Sequence, residues 1–323
     1  MTMMLSRSVR LVLALSLVAA LFAGAVSVQA ARERAYPVPV VDEESLTLTS
    51  GPMVRRLSLG YTGLMADLYW IRAIQYYGSI KRKLEAEFPA MRPPASLVAD
   101  PTGDYPLLYP LLDLTTTLDP RFHVAFRFGS IFLAEPYPTG PERPDLAIAL
   151  LEKGLRERPD RWEYMEDIGF VYYWYRQDFP AAAAWFEKAG HVAGAPWWLK
   201  SLAATTLAQG GDRRSSRQMW AAIRESAEND WLRTDAERRL LQLRALDEID
   251  VLQQRVSAFA ARTGQISPTW PVLARAGVVP GIMADPTGTP YELAADGLVR
   301  LSQRSPLWPL PDEPQTGRLK PPS

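Results

Sequence analysis

The sequence contains no cysteine and only two histidines, His123 and His191, among its 323 residues. Without cysteine the chain has no disulfide, no thiolate metal site, no cysteine nucleophile and no lipid-modified N-terminal cysteine. Two histidines are too few for a multi-histidine metal site. The 36 basic and 36 acidic residues cancel, so the excess of positive charge that nucleic-acid binding needs is missing. We therefore expect no metal, no cofactor and no nucleic acid.

The sequence also lacks the common motifs of catalysis. It contains no G-x-S-x-G, P-loop, dinucleotide fingerprint or H-E-x-x-H. Glu163, Glu166 and Asp167 form one cluster of carboxylates, and paired carboxylates perform acid–base chemistry on sugars. His123 is a candidate base. Because such pairs are common on helix surfaces, we predict a non-catalytic protein. The alternative is a cell-envelope enzyme acting on glycan or lipid-linked sugar.

The N-terminus has the features of an export signal. Arg7 and Arg10 precede an apolar run over residues 11–28, and Val28-Gln29-Ala30 places small residues where signal peptidase reads them. Residues 1–30 are thus predicted as a signal peptide cleaved after Ala30. The run of about 18 residues also suffices to span a bilayer, so an uncleaved anchor is the alternative. In both cases the rest is exported, either periplasmic or held by this helix on the inner membrane.

The next two segments are interpreted as a tether and a helix. Residues 31–52 are polar and proline-containing, with a short extended piece at Ser45–Thr49. Residues 53–104 comprise a long helix over 53–84 and a proline-rich loop over 89–104. The helix carries an apolar stripe of Leu57, Tyr61, Leu64, Leu68, Ile71 and Tyr76. Asp67 and Arg72 fall within this stripe, and we expect each to be paired if buried. The preferred interpretation is that these residues lock the helix onto the following segment, and the alternative is a pair that faces a ligand.

Residues 105–264 repeat one spacing of small and large side chains. Small residues recur at offsets of three and four from large ones, which places them on one helix face where a second helix can approach closely. The period is about that of the 34-residue helix–turn–helix repeat. The predicted core consists of Gly129, Phe132, Ala147, Leu151, Gly169, Tyr172, Ala182, Phe186, Ala189, Ala204, Leu207 and Trp220.

This pattern resembles the tetratricopeptide repeat (TPR) family. The likeness covers about three repeats over residues 122–228, and Leu111–Pro120 is similar to the closing half of an earlier one. The chain departs from the family in lacking the repeat-ending proline near Gly194 and Glu228, and in a proline-rich insertion at Glu135–Asp145. The resemblance implies a mainly α fold, a TPR-like α-solenoid of helical hairpins. An irregular helical bundle is the alternative.

In this family the first helix of each hairpin lines a concave groove that binds a protein segment. Positions that match the groove are His123, Phe126, Ser130, Glu163, Glu166, Phe170, Tyr173, Trp174, Trp198, Ser201 and Thr205. Aromatic and acidic groups attract cations, so the resemblance implies an extended partner with apolar and Lys or Arg side chains. The predicted function is a protein–protein interaction scaffold. Alternatively, Phe170, Tyr173 and Trp174 pack against the helix over 53–84.

The C-terminal part changes in composition. Trp231–Gly264 is interpreted as two capping helices that close the repeats. Residues 265–323 are predicted as a small α+β appendage, with a helix over Thr269–Ala276 and a hairpin around Asp296-Gly297. Residues 285–291, DPTGTPY, resemble a turn in type II secretion pseudopilins, without an acidic cluster for calcium. The proline-rich tail is expected to fray beyond Pro311.

Overall fold

The computed structural model describes residues 7–35, 51–87, 103–265 and 268–313, and these are mainly helical, as predicted. The described residues form twelve α-helices, one π-helical turn and two short strands. The helices are α1 (Arg7–Ala35), α2 (Gly51–Leu57), α3 (Thr62–Glu87), α4 (Leu108–Leu118), α5 (His123–Ala134), α6 (Pro144–Glu157), α7 (Trp162–Phe170), α8 (Phe179–Gly190), α9 (Trp198–Gln209), α10 (Arg213–Ser226), α11 (Asp230–Thr263) and α12 (Trp270–Arg275). The π-helical turn is Val171–Arg176, and the strands are β1 (Glu292–Leu293) and β2 (Val299–Arg300).

The chain divides into two units, residues 1–47 and 48–323. The first contains α1, in which the segment Leu15–Arg32 has a mean hydropathy of 1.5 and is 0% buried. This helix is long and apolar enough to cross a membrane, a property that signal sequences share. The predicted cleavage point, Ala30, lies inside α1. Residues 36–50, which include most of the predicted tether and its extended piece, lie outside the described residues.

In the second unit, α3 to α11 pack consecutively, each against the next, with the π-helical turn between α7 and α8; α4 also contacts α6, and α5 contacts α7. Small residues allow these close approaches. A Cβ on Gly129 would lie 2.9 Å from Leu112 of α4 and 3.1 Å from Leu150 of α6. On α10, Ser216 is buried and its Oγ donates a hydrogen bond of 2.7 Å to the carbonyl of Ala204 on α9.

The predicted core is largely buried. Phe132, Tyr172 and Leu207 are half-buried, and the other members are buried. Phe132 lies at the contact with α3, where its ring stacks on Tyr77 at 4.4 Å and on Trp70 at 6.1 Å. The small–large spacing therefore identifies side chains that pack between helices.

The prediction of a single helix over 53–84 with a buried apolar stripe is wrong in two respects. It is two helices, α2 and α3, because Leu59 and Gly60 adopt left-handed backbone conformations with φ of 48° and 94°. The predicted stripe is also exposed, except for Tyr76. The buried residues of α3 lie on its other side and include Ala66, Tyr69, Ala73 and Tyr76. Both sides of α3 are apolar, and the side with alanines approaches α4 more closely.

The charged residues in that stripe are correspondingly less constrained. Asp67 is exposed and Arg72 is half-buried. Burial is what obliges a charge to be paired, so the position of Asp67 in solvent removes the need for a partner. The predicted proline-rich loop lies mostly in residues 88–102, outside the described residues.

The two capping helices predicted over Trp231–Gly264 are also wrong, since this segment is the single helix α11. No glycine or proline interrupts the chain between Asp230 and Thr263, so nothing in the backbone favours a turn there. Asn229 caps the start by accepting a hydrogen bond from the Leu232 amide. Gly264 ends the helix in the left-handed conformation, with φ of 73°.

The C-terminal segment packs directly on α11. Strands β1 and β2 pair antiparallel around Asp296-Gly297, and Trp270, Tyr291 and Leu307 share a core with Leu252 and other residues of α11. Two further hydrogen bonds run from the buried Gln242 amide of α11 to the carbonyls of Leu307 and Pro309.

The fraying expected beyond Pro311 is not seen at residues 312–313, the part of the tail that the structure describes. Glu313 accepts two hydrogen bonds of 2.6 Å from the guanidinium of Arg213 on α10. Residues 314–323 lie outside the described residues. In the DPTGTPY segment Asp285 organises the turn, because its carboxylate accepts hydrogen bonds from the amides of Thr287 and Thr289 and from the hydroxyl of Ser305.

Candidate functional site

The predicted groove residues lie on α5, α7 with the π-helical turn, and α9, and they differ in exposure. The buried ones are Phe126, Ser130 and Glu166; the half-buried ones are His123, Glu163, Phe170, Tyr173, Ser201 and Thr205; the exposed ones are Trp174 and Trp198. A buried side chain offers no surface to a partner. The structure therefore contradicts the assignment of Phe126, Ser130 and Glu166 to an accessible groove.

The physical reason is that these three side chains make packing, hydrogen-bond and ion-pair contacts within the protein. Phe126 is 0% exposed and packs on the Tyr164 ring at 5.2 Å. Ser130 donates a hydrogen bond of 2.7 Å to the carbonyl of Arg127. Glu166 lies against the guanidinium of Arg127 at 3.3 Å. The contact between α5 and α7 thus closes the part of the predicted groove that α5 was expected to line.

A charged cluster joins α5 to α7 at this contact. Arg127 donates from Nε and Nη2 to the two carboxylate oxygens of Asp167, at 2.5 and 2.7 Å. This two-point arrangement is the strong form of an Arg–carboxylate interaction. The grouping of the carboxylates was visible in the sequence, whereas the role of Arg127 was not recognised. Its position four residues after His123 on α5 was the available signal.

Burial and charge act differently on the members of this cluster. The hydrogen bonds to Asp167 raise the pKa of Arg127 and hold it protonated. Burial raises the pKa of the Glu166 carboxyl, and the nearby Arg127 charge opposes that rise. Glu163, three residues from Glu166, lies 3.4 Å from Arg161. Each of the three carboxylates of α7 therefore contacts an arginine, with Glu166 and Asp167 sharing Arg127.

His123 lies at the edge of the same cluster. Its ring stacks on Tyr164 at 5.6 Å, and its Nδ1 is buried without a hydrogen-bond partner among the described residues. Burial lowers the pKa of the imidazole, and the positive charge of Arg127 lowers it further. The neutral form is thus favoured at neutral pH.

An aromatic cluster follows on the π-helical turn, where the sequence reads VYYWYR. The Trp174 ring contacts two others, with its centroid 5.9 Å from that of Phe170 and 5.0 Å from that of Tyr173. Phe170 in turn packs edge-on against Phe186 at 5.0 Å. Such turns accommodate one extra residue in a helix and occur often at functional sites.

Tyr173 anchors this cluster to the next helix pair. Its hydroxyl donates a hydrogen bond of 2.9 Å to Oε1 of Gln209 at the end of α9, and its ring lies 5.4 Å from Phe179 of α8. Trp174 remains 53% exposed. We interpret Phe170 and Tyr173 as residues that fix the orientation of Trp174.

The α9 residues are more dispersed. Thr205 donates a hydrogen bond to the carbonyl of Ser201, and the buried Oγ of Ser201 has no partner among the described residues. Trp198 is 37% exposed. Trp197, which was not predicted as a groove residue, is 56% exposed and packs edge-on against Trp231 of α11 at 5.5 Å.

Large apolar side chains are also exposed on α2, on α3, in the turn between them and on α5, which the sequence did not indicate. Each is between 42% and 86% exposed. They are Met53, Leu57, Leu59, Tyr61, Leu64, Leu68, Ile71, Ile74, Val124, Phe128 and Ile131. Large contiguous patches of exposed apolar side chains are typical of sites that bind a protein or a membrane.

Two cavities lie away from the predicted groove. One, of about 390 Å³, lies between α11 and the C-terminal segment and is lined by Arg244, Glu248, Met283 and Tyr291 among others. The other, of about 470 Å³, is lined by Tyr105, Tyr109, Leu133 and Arg143 among others. Neither is lined by His123, Glu163 or Glu166. Among the described residues, no group of three or more acidic or histidine side chains is arranged to hold a metal ion.

Comparison of the chain with protein-family models, with curated proteins and with solved structures gave no match. The likeness to TPR proteins therefore stands on the residue spacing alone, and the function must be inferred from this chain's own surfaces.

Proposed function

We propose that the protein is a non-catalytic interaction scaffold of the bacterial cell envelope, built as a TPR-like stack of helical hairpins. In this proposal it is exported and tethered to, or released from, the membrane through its N-terminal helix, and it binds a protein segment at the surface around Trp174. The strongest support for this proposal is that Trp174 is 53% exposed although its ring packs against two other aromatic side chains.

A large aromatic side chain that is held in place but left open is well suited to binding. Tryptophan is among the residues that contribute most to protein–protein binding energy. Phe170 and Tyr173 both contact the Trp174 ring, so its orientation is set before a partner arrives. A pre-organised ring loses less conformational entropy on binding than a mobile one does.

The surrounding charges define the kind of partner. Glu166 and Asp167 contact Arg127, and Glu163 contacts Arg161, so the acidic character of α7 is largely neutralised within the protein. The aromatic face of Trp174 is the stronger attraction for an apolar or cationic side chain. We therefore favour a partner segment that presents an apolar residue, with Lys or Arg beside it.

The same ion pairs argue for a scaffold over a glycan-cleaving enzyme. Acid–base catalysis on a glycosidic bond needs two carboxyl groups that both face the substrate. Here Asp167 is engaged by two hydrogen bonds from Arg127, and Glu166 is only 8% exposed. Neither carboxyl group is presented to a substrate.

Substitution of single tryptophans tests the proposed surface. Partners are crosslinked to the full-length protein in cells and recovered for wild type, Trp174→Ala and Trp197→Ala. Trp197 is a matched control, since it is similarly exposed and belongs to another aromatic pair. We expect a specific partner to be lost with Trp174→Ala alone, while both variants keep the wild-type melting temperature.

If wild type and Trp174→Ala recover partners equally, the proposal is contradicted. Tyr173→Ala is less suitable, because it also removes the hydrogen bond to Gln209 and is expected to lower stability. Export is tested separately by fusing a reporter that is active only in the cytoplasm to Ser323. Strong reporter activity contradicts export, and mass spectrometry of the mature N-terminus shows whether residues 1–30 are removed.

A further inference from the structure

The turn between α2 and α3 forms an apolar tip, which we define as residues 53–64. Five of its side chains are more than half exposed. They are Met53 at 52%, Leu57 at 59%, Leu59 at 86%, Tyr61 at 71% and Leu64 at 57%. Exposing this many large apolar groups in one short segment is unfavourable in water. The α2–α3 tip is therefore a surface that gains free energy by entering a less polar environment.

The tip is held in a fixed shape by its own hydrogen bonds. The Ser58 hydroxyl donates to the carbonyl of Arg55 at 2.7 Å, and the Tyr61 amide donates to the carbonyl of Ser58 at 2.8 Å. Val54 is buried and anchors the segment to the rest of the protein. Leu59 has a φ of 48°, a left-handed conformation that is unfavourable for a leucine. The turn thus displays Leu59 outward at a conformational cost.

The charges near the tip are of one sign. Residues 51–66 contain Arg55 and Arg56 and no acidic residue, and both arginines are exposed. The first acidic side chain after the tip is Asp67, which is exposed on α3, and the last one before the tip is Glu44. Apolar and aromatic side chains combined with arginine are typical of protein segments that lie in a membrane interface.

The tip lies close in sequence to a helix that could hold it near a membrane. Only residues 36–50 separate α1 from α2, and such a segment reaches at most about 50 Å when fully extended. In the form of the protein that retains α1 as an anchor, this helix is long and apolar enough to cross a bilayer, and a bilayer surface is then within reach of the tip.

We propose that the α2–α3 tip contacts the lipid bilayer, with Leu59 and Tyr61 at the boundary of the acyl chains and Arg55 and Arg56 at anionic headgroups. Asp67 limits the contact to the tip, since a carboxylate is unfavourable in the acyl region. The proposal goes beyond the scaffold function and is independent of partner binding at Trp174.

The absence of cysteine allows a direct test in the full-length protein. Single-cysteine variants Leu59→Cys and Ser226→Cys are labelled with an environment-sensitive fluorophore. Both positions are exposed, so the labels do not disturb packing, and Ser226 on α10 is the control. The labelled chains are reconstituted in vesicles of phosphatidylcholine and phosphatidylglycerol, with and without a lipid that carries a nitroxide quencher near its headgroup.

We expect the label at position 59 to shift its emission to the blue and to lose most of its fluorescence to the lipid quencher, while the label at position 226 does neither. Equal quenching at the two positions overturns the proposal. A blue shift without lipid quenching also overturns it, because it indicates that a second copy or another protein covers the tip.

A second pair of variants tests the role of charge. Arg55→Gln combined with Arg56→Gln should reduce quenching at position 59 in vesicles with phosphatidylglycerol, and should have little effect in phosphatidylcholine alone. Equal quenching of the double variant and its parent in both kinds of vesicle overturns the assignment of the arginines to anionic headgroups. Circular dichroism and thermal unfolding of each variant establish that it is folded as the parent protein is.

Discussion

Two apolar helix surfaces of this protein behave in opposite ways. At the contact of α7 with α8, Gly169 lies so close to Phe186 that a Cβ would be 2.4 Å from its ring. On the outer side of α3, Leu64, Leu68 and Ile71 have similar helical spacing, yet they are 57%, 51% and 49% exposed. Hydrophobic spacing shows that a face is apolar, whereas a small residue opposite a large one shows that a second helix lies there.

The largest expected effect tests the close contact. Gly169→Val should lower the free energy of unfolding by about 3 kcal/mol, because the added side chain overlaps the fully buried Phe186 and the two helices must shift to admit it. Unfolding in urea measures the change.

Gly78→Ala is the matched control on α3. A Cβ at Gly78 meets nothing within 4 Å, so alanine should raise stability by about 0.5–1 kcal/mol through its higher helix propensity. If Gly169→Val were as stable as the wild type, the α7–α8 contact could not be as close as described.

The next largest effect concerns the ion pair between α5 and α7. Arg127→Met should lower the free energy of unfolding by about 2 kcal/mol, since Asp167 and Glu166 lose their partner. The cost is below the roughly 3–5 kcal/mol of a fully buried pair, because the Arg127 side chain is 33% exposed.

A double variant separates lost attraction from an unpaired charge. Arg127→Met combined with Asp167→Leu should recover about half of the loss, as it removes the carboxylate left without a partner. Urea unfolding of both variants provides the measurement. An additive loss in the double variant contradicts this account.

A smaller effect concerns the pH dependence of stability. Burial lowers the pKa of His123 below its ordinary value of 6.5, so the unfolded chain takes up the proton first as the pH falls. His123 therefore destabilises the fold below about pH 6.5 and not above it. His123→Phe removes this loss and keeps a ring against Tyr164.

Urea unfolding at about pH 8 and about pH 5 measures the difference. The variant should gain stability relative to wild type on going to the lower pH. Arg127, Arg161, Glu163 and Asp167 surround His123 and are present in both proteins, so their own titration largely cancels. A difference that does not change with pH contradicts the assignment.

The smallest expected effect is on the outer side of α3. Leu68→Gln should change the free energy of unfolding by less than about 0.5 kcal/mol, because this side chain is half exposed. Tyr76→Ala, on the buried side of the same helix, should cost about 3 kcal/mol. A large loss with Leu68→Gln would show that the outer side of α3 is covered in the folded protein.

The candidate site was predictable only in part. The aromatic run at residues 170–174 was visible in the sequence, but the exposure of Trp174 depends on the π-helical turn, which no residue pattern indicated. Phe126 and Ser130 were misplaced because family geometry assigns positions to a groove without knowing how closely neighbouring helices approach. Arg127 was missed because its partners lie 39 and 40 residues away.

The sequence by itself determined the mainly helical fold, the apolar N-terminal helix, the close helix contacts at small residues, the end of α11 at Gly264 and the hairpin at Asp296-Gly297. These features follow from local propensity and from spacing within one element. Only the tertiary structure decided which side of α3 is buried, that Trp174 is open, and that the carboxylates of α7 are matched to arginines. Those outcomes depend on distances between segments far apart in the chain, which local patterns do not contain.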